Sequence, residues 1–171
     1  MQNPPFLRNR PFRVAAYSGG KAARLLAAAL AAFLLATPPV LSLAATPAQA
    51  KAFSERASDH IRKVGEKQAF ADFTRKDGGF HDGELYVFCY DRKGVNMAHG
   101  LNPAFVGRNL LHIKDPDGAE PNLMIVRMGF EHERGWVDFK WPNPVTKRIE
   151  KKSAYVIRTN EVTCGVGYYK G

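Results

Sequence analysis

The sequence predicts an α+β domain in which a long amphipathic helix leads into five short antiparallel strands. Three observations predict it. Apolar Phe53, Ala57, Ile61 and Val64 recur at helical spacing, and Phe70 and Phe73 extend the stripe. Five later runs are rich in β-branched and aromatic residues and are bounded by Gly, Pro, Asp and Asn. Their order, a hairpin, a crossing segment with one helix, then a three-strand meander, places helices against one face of a sheet.

Residues 1–50 read as an export leader rather than as fold. Arg8, Arg10, Arg13, Lys21 and Arg24 form a basic lead, Leu25 to Ala36 is apolar, and Ala48-Gln49-Ala50 supplies a small-x-small cleavage pattern. The apolar run is 12 residues, short of the roughly 20 that a spanning helix needs. Cleavage is expected after Ala50, with retention as an N-terminal anchor the alternative. The expected product, residues 51–171, is periplasmic or secreted and suits one core.

The leader holds five of the 25 basic residues and none of the 16 acidic ones, so the net charge falls from +9 to +4 after cleavage. The remaining basic residues are scattered along the chain, without the clustering of a phosphate-tracking surface. No nucleic-acid partner is therefore expected.

The first helix is expected from Lys51 to about Lys76, with Asp77-Gly78-Gly79 stopping it. At 1.5 Å per residue its roughly 25 residues would reach about 38 Å, along and past one side of the domain. Leu85 to Tyr90 and Val95 to His99 form the hairpin around Asp91-Arg92-Lys93-Gly94. An irregular stretch, Gly100 to Gly118, precedes a helix over Glu120 to Glu131. Gly135 to Trp141, Ser153 to Thr159 and Val162 to Tyr169 complete the strands.

The segment Gly135 to Tyr155 concentrates aromatic residues and lysines around a Pro-Asn-Pro turn. Apolar walls that exclude water, beside a fixed positive charge, are what a pocket for a small organic anion requires. Cys89 and Cys164 both fall after the leader, and in an exported chain a pair is bridged more often than free. Each lies in a strand-like run, so a bridge requires those strands to be neighbours. Closing a 75-residue loop would stabilise by about 4 kcal/mol. A redox or metal thiol is the alternative, but neither a CxxC nor a nearby histidine pair accompanies them.

Taken in order, several short motifs match one family. They are Tyr86-Val87-Phe88, Asp91-Arg92-Lys93-Gly94, Ala98-His99-Gly100-Leu101-Asn102-Pro103, Val106-Gly107-Arg108-Asn109 and Lys114-Asp115-Pro116-Asp117-Gly118. Gly135-Trp136-Val137-Asp138-Phe139-Lys140-Trp141-Pro142 and Lys152-Ser153-Ala154-Tyr155 close the set. This pattern resembles the single Cache domain, type 2, of bacterial extracytoplasmic sensors, over roughly residues 51–170. The resemblance implies a PAS-like five-stranded antiparallel sheet with the long helix packed on one face. It implies a central pocket for small ligands, often short-chain carboxylates. It also makes the first and last strands central neighbours, which would set Cys89 beside Cys164. Family members usually carry membrane helices on both flanks and a cytoplasmic output. This chain ends at Gly171, so a free-standing exported member is expected.

The resemblance makes Lys152 the expected anion contact, with a solvated Lys151-Lys152 pair as the alternative. A flexible point charge suits carboxylates of variable length. Tyr155 would donate its hydroxyl to the same oxygen, and Phe139, Trp141 and Trp136 would form an aromatic wall. The family commonly has tyrosine where Phe139 stands. Along that strand Val137, Phe139 and Trp141 share a face, while Trp136, Asp138 and Lys140 take the other. His99 is expected at the pocket mouth, titrating near neutrality, and Arg127 is a second candidate cation. His132-Glu133 reads as a solvated helix end.

No GxSxG, HExxH or phosphate-cradling loop is present, so no catalytic role, metal or cofactor is expected. The reading is an exported small-molecule sensor domain. A separate membrane sensor or transporter, or a second copy paired through the N-terminal helix, would be its partner. The rival reading is a protein-interaction module on an empty Cache scaffold.

Overall fold

The computed structural model describes residues 44–171; the basic lead and the apolar run of the expected leader lie outside the described residues. Helix α1 spans Pro47–Val64. Thr46 caps it through a reciprocal box: its hydroxyl accepts from the Gln49 amide, and the Gln49 side chain accepts from the Thr46 amide. Pro47 sits at the first helical turn, where its missing N–H costs nothing. The helix therefore starts ahead of Lys51, and Ala50 is wholly buried within it.

At Gly65 the backbone takes φ 81° and ψ 160°, a region essentially restricted to glycine. Helix α2, Glu66–Thr74, restarts beyond it. The single helix expected over Lys51 to Lys76 is thus two shorter ones. The apolar stripe continues across the joint, which is why periodicity alone did not reveal it.

A small hairpin, β1 (His81–Asp82) and β2 (Leu85–Tyr86), precedes the main sheet. That sheet comprises β3 (Phe88–Asp91), β4 (Asn96–His99), β5 (Arg134–Pro142), β6 (Ile149–Thr159) and β7 (Val162–Tyr169). They lie antiparallel in the order β4-β3-β7-β6-β5. Helix α3, Pro121–His132, bridges from β4 to β5. This is the expected α+β fold with five antiparallel strands.

Both faces of the sheet are covered, where the expectation was one. Val87, Cys89, Ala98, Val162, Cys164 and Val166 pack with Ala57, Ile61, Ala69 and Phe73 under α1 and α2. Phe88, Tyr90, Val137, Phe139, Ala154 and Val156 pack with Ile125 and Val126 under α3. The cause is visible in Leu85 to Tyr90, an unbroken apolar run rather than an alternating one, which marks a strand buried on both sides. Ser54 and Ser58 fix α1 to the sheet. The Ser54 hydroxyl donates to the Tyr155 carbonyl at 2.8 Å and accepts from the Val166 amide at 3.0 Å. Ser58 and Thr159 share a hydrogen bond of 2.7 Å.

Cys89 and Cys164 face each other in register on β3 and β7 with Cα atoms 4.1 Å apart, and they form a disulfide. The bridge sits in the core beneath α1 and α2.

Candidate functional site

The site lies on the α3 side of the sheet, where strand parity directs a set of side chains inward. On β3 these are Tyr86 just ahead of the strand, Phe88 and Tyr90; His99 pairs with Phe88 from β4. Phe139, Lys152 and Tyr169 align across β5, β6 and β7 as successive register partners. On the same face β7 carries Gly165 and Gly167, and their missing side chains make the space. A Cβ on Gly167 would stand 2.5 Å from the Lys152 Cε, and one on Gly165 would stand 3.0 Å from the Phe88 ring.

What remains is a cavity walled by Tyr86, Phe88, Tyr90, Phe139 and Trp141, roofed by Asn122 and Ile125 of α3, with Lys152 and His99 as its charged or titratable members. Its volume is about 10 Å³, room for about one water. The Asn122 amide nitrogen donates to the Leu110 carbonyl at 2.8 Å, which ties the roof to the preceding loop.

Lys152 is 1% exposed. Its Nζ stands 3.9 Å from the Tyr86 ring centroid and 4.7 Å from that of Tyr169. It donates to the Tyr169 hydroxyl at 3.4 Å, and that hydroxyl donates onward to the Pro142 carbonyl at 2.6 Å. Among the described residues no carboxylate forms an ion pair with it. Burial pushes its ammonium well below the ordinary lysine value, and the more distant Glu84 carboxylate offsets only part of this. Aromatic faces give a desolvated cation about 2 kcal/mol, which is less than the several kcal/mol that removal from water costs.

His99 is held down to about 3 by burial and, secondarily, by the Lys152 charge. Its Nδ1 accepts from the Leu101 and Asn102 amides at 3.3 and 3.0 Å, so the neutral ring carries its proton on Nε2. Tyr86, Tyr90 and Tyr169 are all pushed upward, chiefly by burial, and remain phenols. The arrangement is a small aromatic chamber with one buried lysine nitrogen at its wall.

The family model described as single Cache domain 2 matches residues 51–169, most of the chain. The chain belongs to the single Cache domain 2 family. A methyl-accepting chemotaxis protein from Vibrio parahaemolyticus superposes with a TM-score of 0.64 at 20% identity, covering 71% of this chain and 86% of that one. A periplasmic sensor domain of a chemotaxis protein gives 0.57 at 21% identity, covering 70% and 87%. A Cache chemosensory domain solved for its carboxylic acid recognition gives 0.56 at 27% identity, covering 68% and 79%. The first two likenesses show the fold.

Of the residues expected at the site, this Cache domain gathers Lys152, Phe139, Trp141 and His99 around the cavity. Tyr155, Trp136 and Arg127 lie elsewhere. Lys152 and Tyr155 are three apart on one strand, and odd separation sends them to opposite faces. Tyr155 packs against Trp136, with ring centroids 5.1 Å apart. The exposed Trp136 meets Tyr168 at 5.9 Å on that same far face. Arg127 is exposed on α3 and pairs with Glu131 at 3.1 Å, one helical turn on. His99 is an acceptor for two backbone amides rather than a sensor titrating near neutrality.

Sequence reading missed Tyr86, Phe88, Tyr90, Asn122 and Ile125. Two signals could have found the first three. Tyr86, Phe88 and Tyr90 alternate along one strand, and Gly165-Val166-Gly167 leaves one face of its strand bare. Among the described residues no cluster of His, Cys, Asp and Glu could hold a metal ion, and no helix is long and apolar enough to cross a membrane.

Proposed function

We propose that this Cache domain is an extracytoplasmic sensor module that takes a small organic anion, a short-chain carboxylate, with Lys152 as its counter-ion. The observation that carries the reading is a lysine nitrogen buried among aromatic rings and, among the described residues, without a carboxylate partner. Such a group costs stability unless something of opposite charge arrives. A carboxylate about 4 Å from the ammonium would gain roughly 4 kcal/mol at an effective dielectric near 20. The carboxylic acid recognition by a 27% identical Cache domain supports the same chemistry.

A two-carbon acid is larger than the present cavity, so a wall must move on binding. Trp141 is the most exposed of the lining side chains, and in this proposal it is the door. The small cavity also favours a second reading, a scaffold that stays empty and binds protein through its outer surface.

A thermal-shift titration with two- to four-carbon carboxylates separates the two. The expected result is a saturable rise in Tm, abolished in Lys152→Met and retained in Arg127→Met. No rise with any acid would favour the empty scaffold, and an equal rise in Lys152→Met would remove Lys152 as the counter-ion.

A further inference from the structure

The start of α1 conflicts with a mature chain that begins at Lys51. Cleavage after Ala50 would remove the Thr46–Gln49 capping box and a residue with no exposed surface at all. Ser54 would lose the neighbouring carbonyl, that of Ala50, which its hydroxyl contacts at 3.1 Å. Cleavage after Ala48 would take the cap as well. One earlier bond fits both the small-residue pattern and the fold. Ser42 and Ala44 stand three and one positions before the Ala44–Ala45 bond, whereas a cut after Ala45 would put the bulky Leu43 at the outer position. Ala44 is exposed, and Ala45 packs at the edge of the core.

The Ala45 backbone nitrogen already has an acidic partner. It donates to Glu84 Oε1 at 2.9 Å, the same oxygen that accepts from the Tyr169 amide at 3.4 Å. We propose that the chain is cut between Ala44 and Ala45 during export, and that the new α-ammonium of Ala45 forms an ion pair with Glu84 that locks the start of α1 to the end of β7. Hydrolysis of that peptide bond leaves a carboxylate on Ala44 and converts a neutral N–H donor into a cation against the same oxygen. The other charged groups bordering the cleft at Ala45 are Asp82, Arg148, Glu150 and Lys170, and Lys152 lies within the field of Glu84.

The test begins with the full chain expressed with its leader and recovered from the periplasm. Intact mass and N-terminal sequencing should give Ala45 as the first residue. Lys51 as the first residue, or an uncut chain, would overturn the proposal. The α-amine of the recovered protein is then tagged by reductive methylation with carbon-13 and titrated by NMR. Its acidity should be at least tenfold weaker in wild type than in Glu84→Gln, where it should lie near the ordinary α-amine value of about 8. Equal acidities in the two proteins would overturn the ion pair. Neither readout depends on whether any carboxylate binds the cavity.

Discussion

Replacing Lys152 by methionine should stabilise the empty domain while removing its proposed function. Methionine keeps the length and flexibility of the stem but has no charge to desolvate. The losses are the contact with the Tyr86 face at 3.9 Å and a long hydrogen bond to Tyr169 at 3.4 Å, together about 2–3 kcal/mol. The gain is relief of a desolvation cost of several kcal/mol. A net stabilisation of about 1–2 kcal/mol at pH 7 follows, or roughly 4–8 °C in Tm for a domain of this size. The pH dependence has a definite sign. Burial lowers the folded-state value of Lys152, so the unfolded chain holds that proton more tightly. The wild type therefore loses stability as pH falls below about 10.4, the unfolded lysine value. The variant lacks this loss, and its advantage should widen from pH 9 to pH 7. Urea unfolding followed by circular dichroism at both values measures it. A variant less stable than wild type by more than about 1 kcal/mol at pH 7 would show that the buried nitrogen is already well compensated, and the case for an incoming anion would fail.

Carboxylate binding should be accompanied by proton uptake, because burial lowers the Lys152 ammonium and a bound anion raises it again; calorimetry in two buffers of different ionisation enthalpy reads this directly, and no buffer dependence would refute it. Gly167→Ala would set a methyl group 2.5 Å from the Lys152 Cε and 3.0 Å from the Ser153 carbonyl oxygen. It should cost about 1–3 kcal/mol of stability and abolish the carboxylate response in the same thermal-shift assay. Replacing Cys89 and Cys164 together by serine should lower stability by about 4 kcal/mol in guanidinium unfolding. His99 titrates at about 3 when folded and at about 6.5 when unfolded, so its contribution is complete above pH 6.5 and is lost as pH falls, by up to about 1.4 kcal/mol per pH unit. His99→Gln should flatten the acid limb of the stability curve between pH 6.5 and 4.5; an unchanged slope would mean that the ring is protonated where it sits.

The strands and the crossing helix were legible because their signals are local. Turn residues such as Asp91-Arg92-Lys93-Gly94 and the Asn160-centred β6–β7 turn, where φ reaches 55°, delimit them directly. The break at Gly65 was not legible, since one glycine in an apolar period is compatible with an unbroken helix. The buried lysine could be singled out from its family motif. Which aromatic residues accompany it depends on strand parity and on register across four strands. Parity was available for Tyr155, and it excludes that residue. Register was not, because the neighbours of Lys152 on either side, Phe139 and Tyr169, are set by pairings with strands 13 and 17 residues away. Asn122 and Ile125 belong to the roof only because α3 crosses the sheet where it does.

The disulfide has a mechanical consequence for the chamber. It clamps β3 to β7, the strands that carry Phe88 and Tyr90 on one hand and the glycine floor on the other. That half of the enclosure behaves as a fixed jaw. Any swelling needed to admit a guest must be taken up by the opposite jaw, where β5 ends at Pro142 beside Trp141 and accepts the Tyr169 hydroxyl bond. Displacement of the Lys152 nitrogen would thus be felt first at the far end of β5, along a path running from ammonium to phenol to carbonyl.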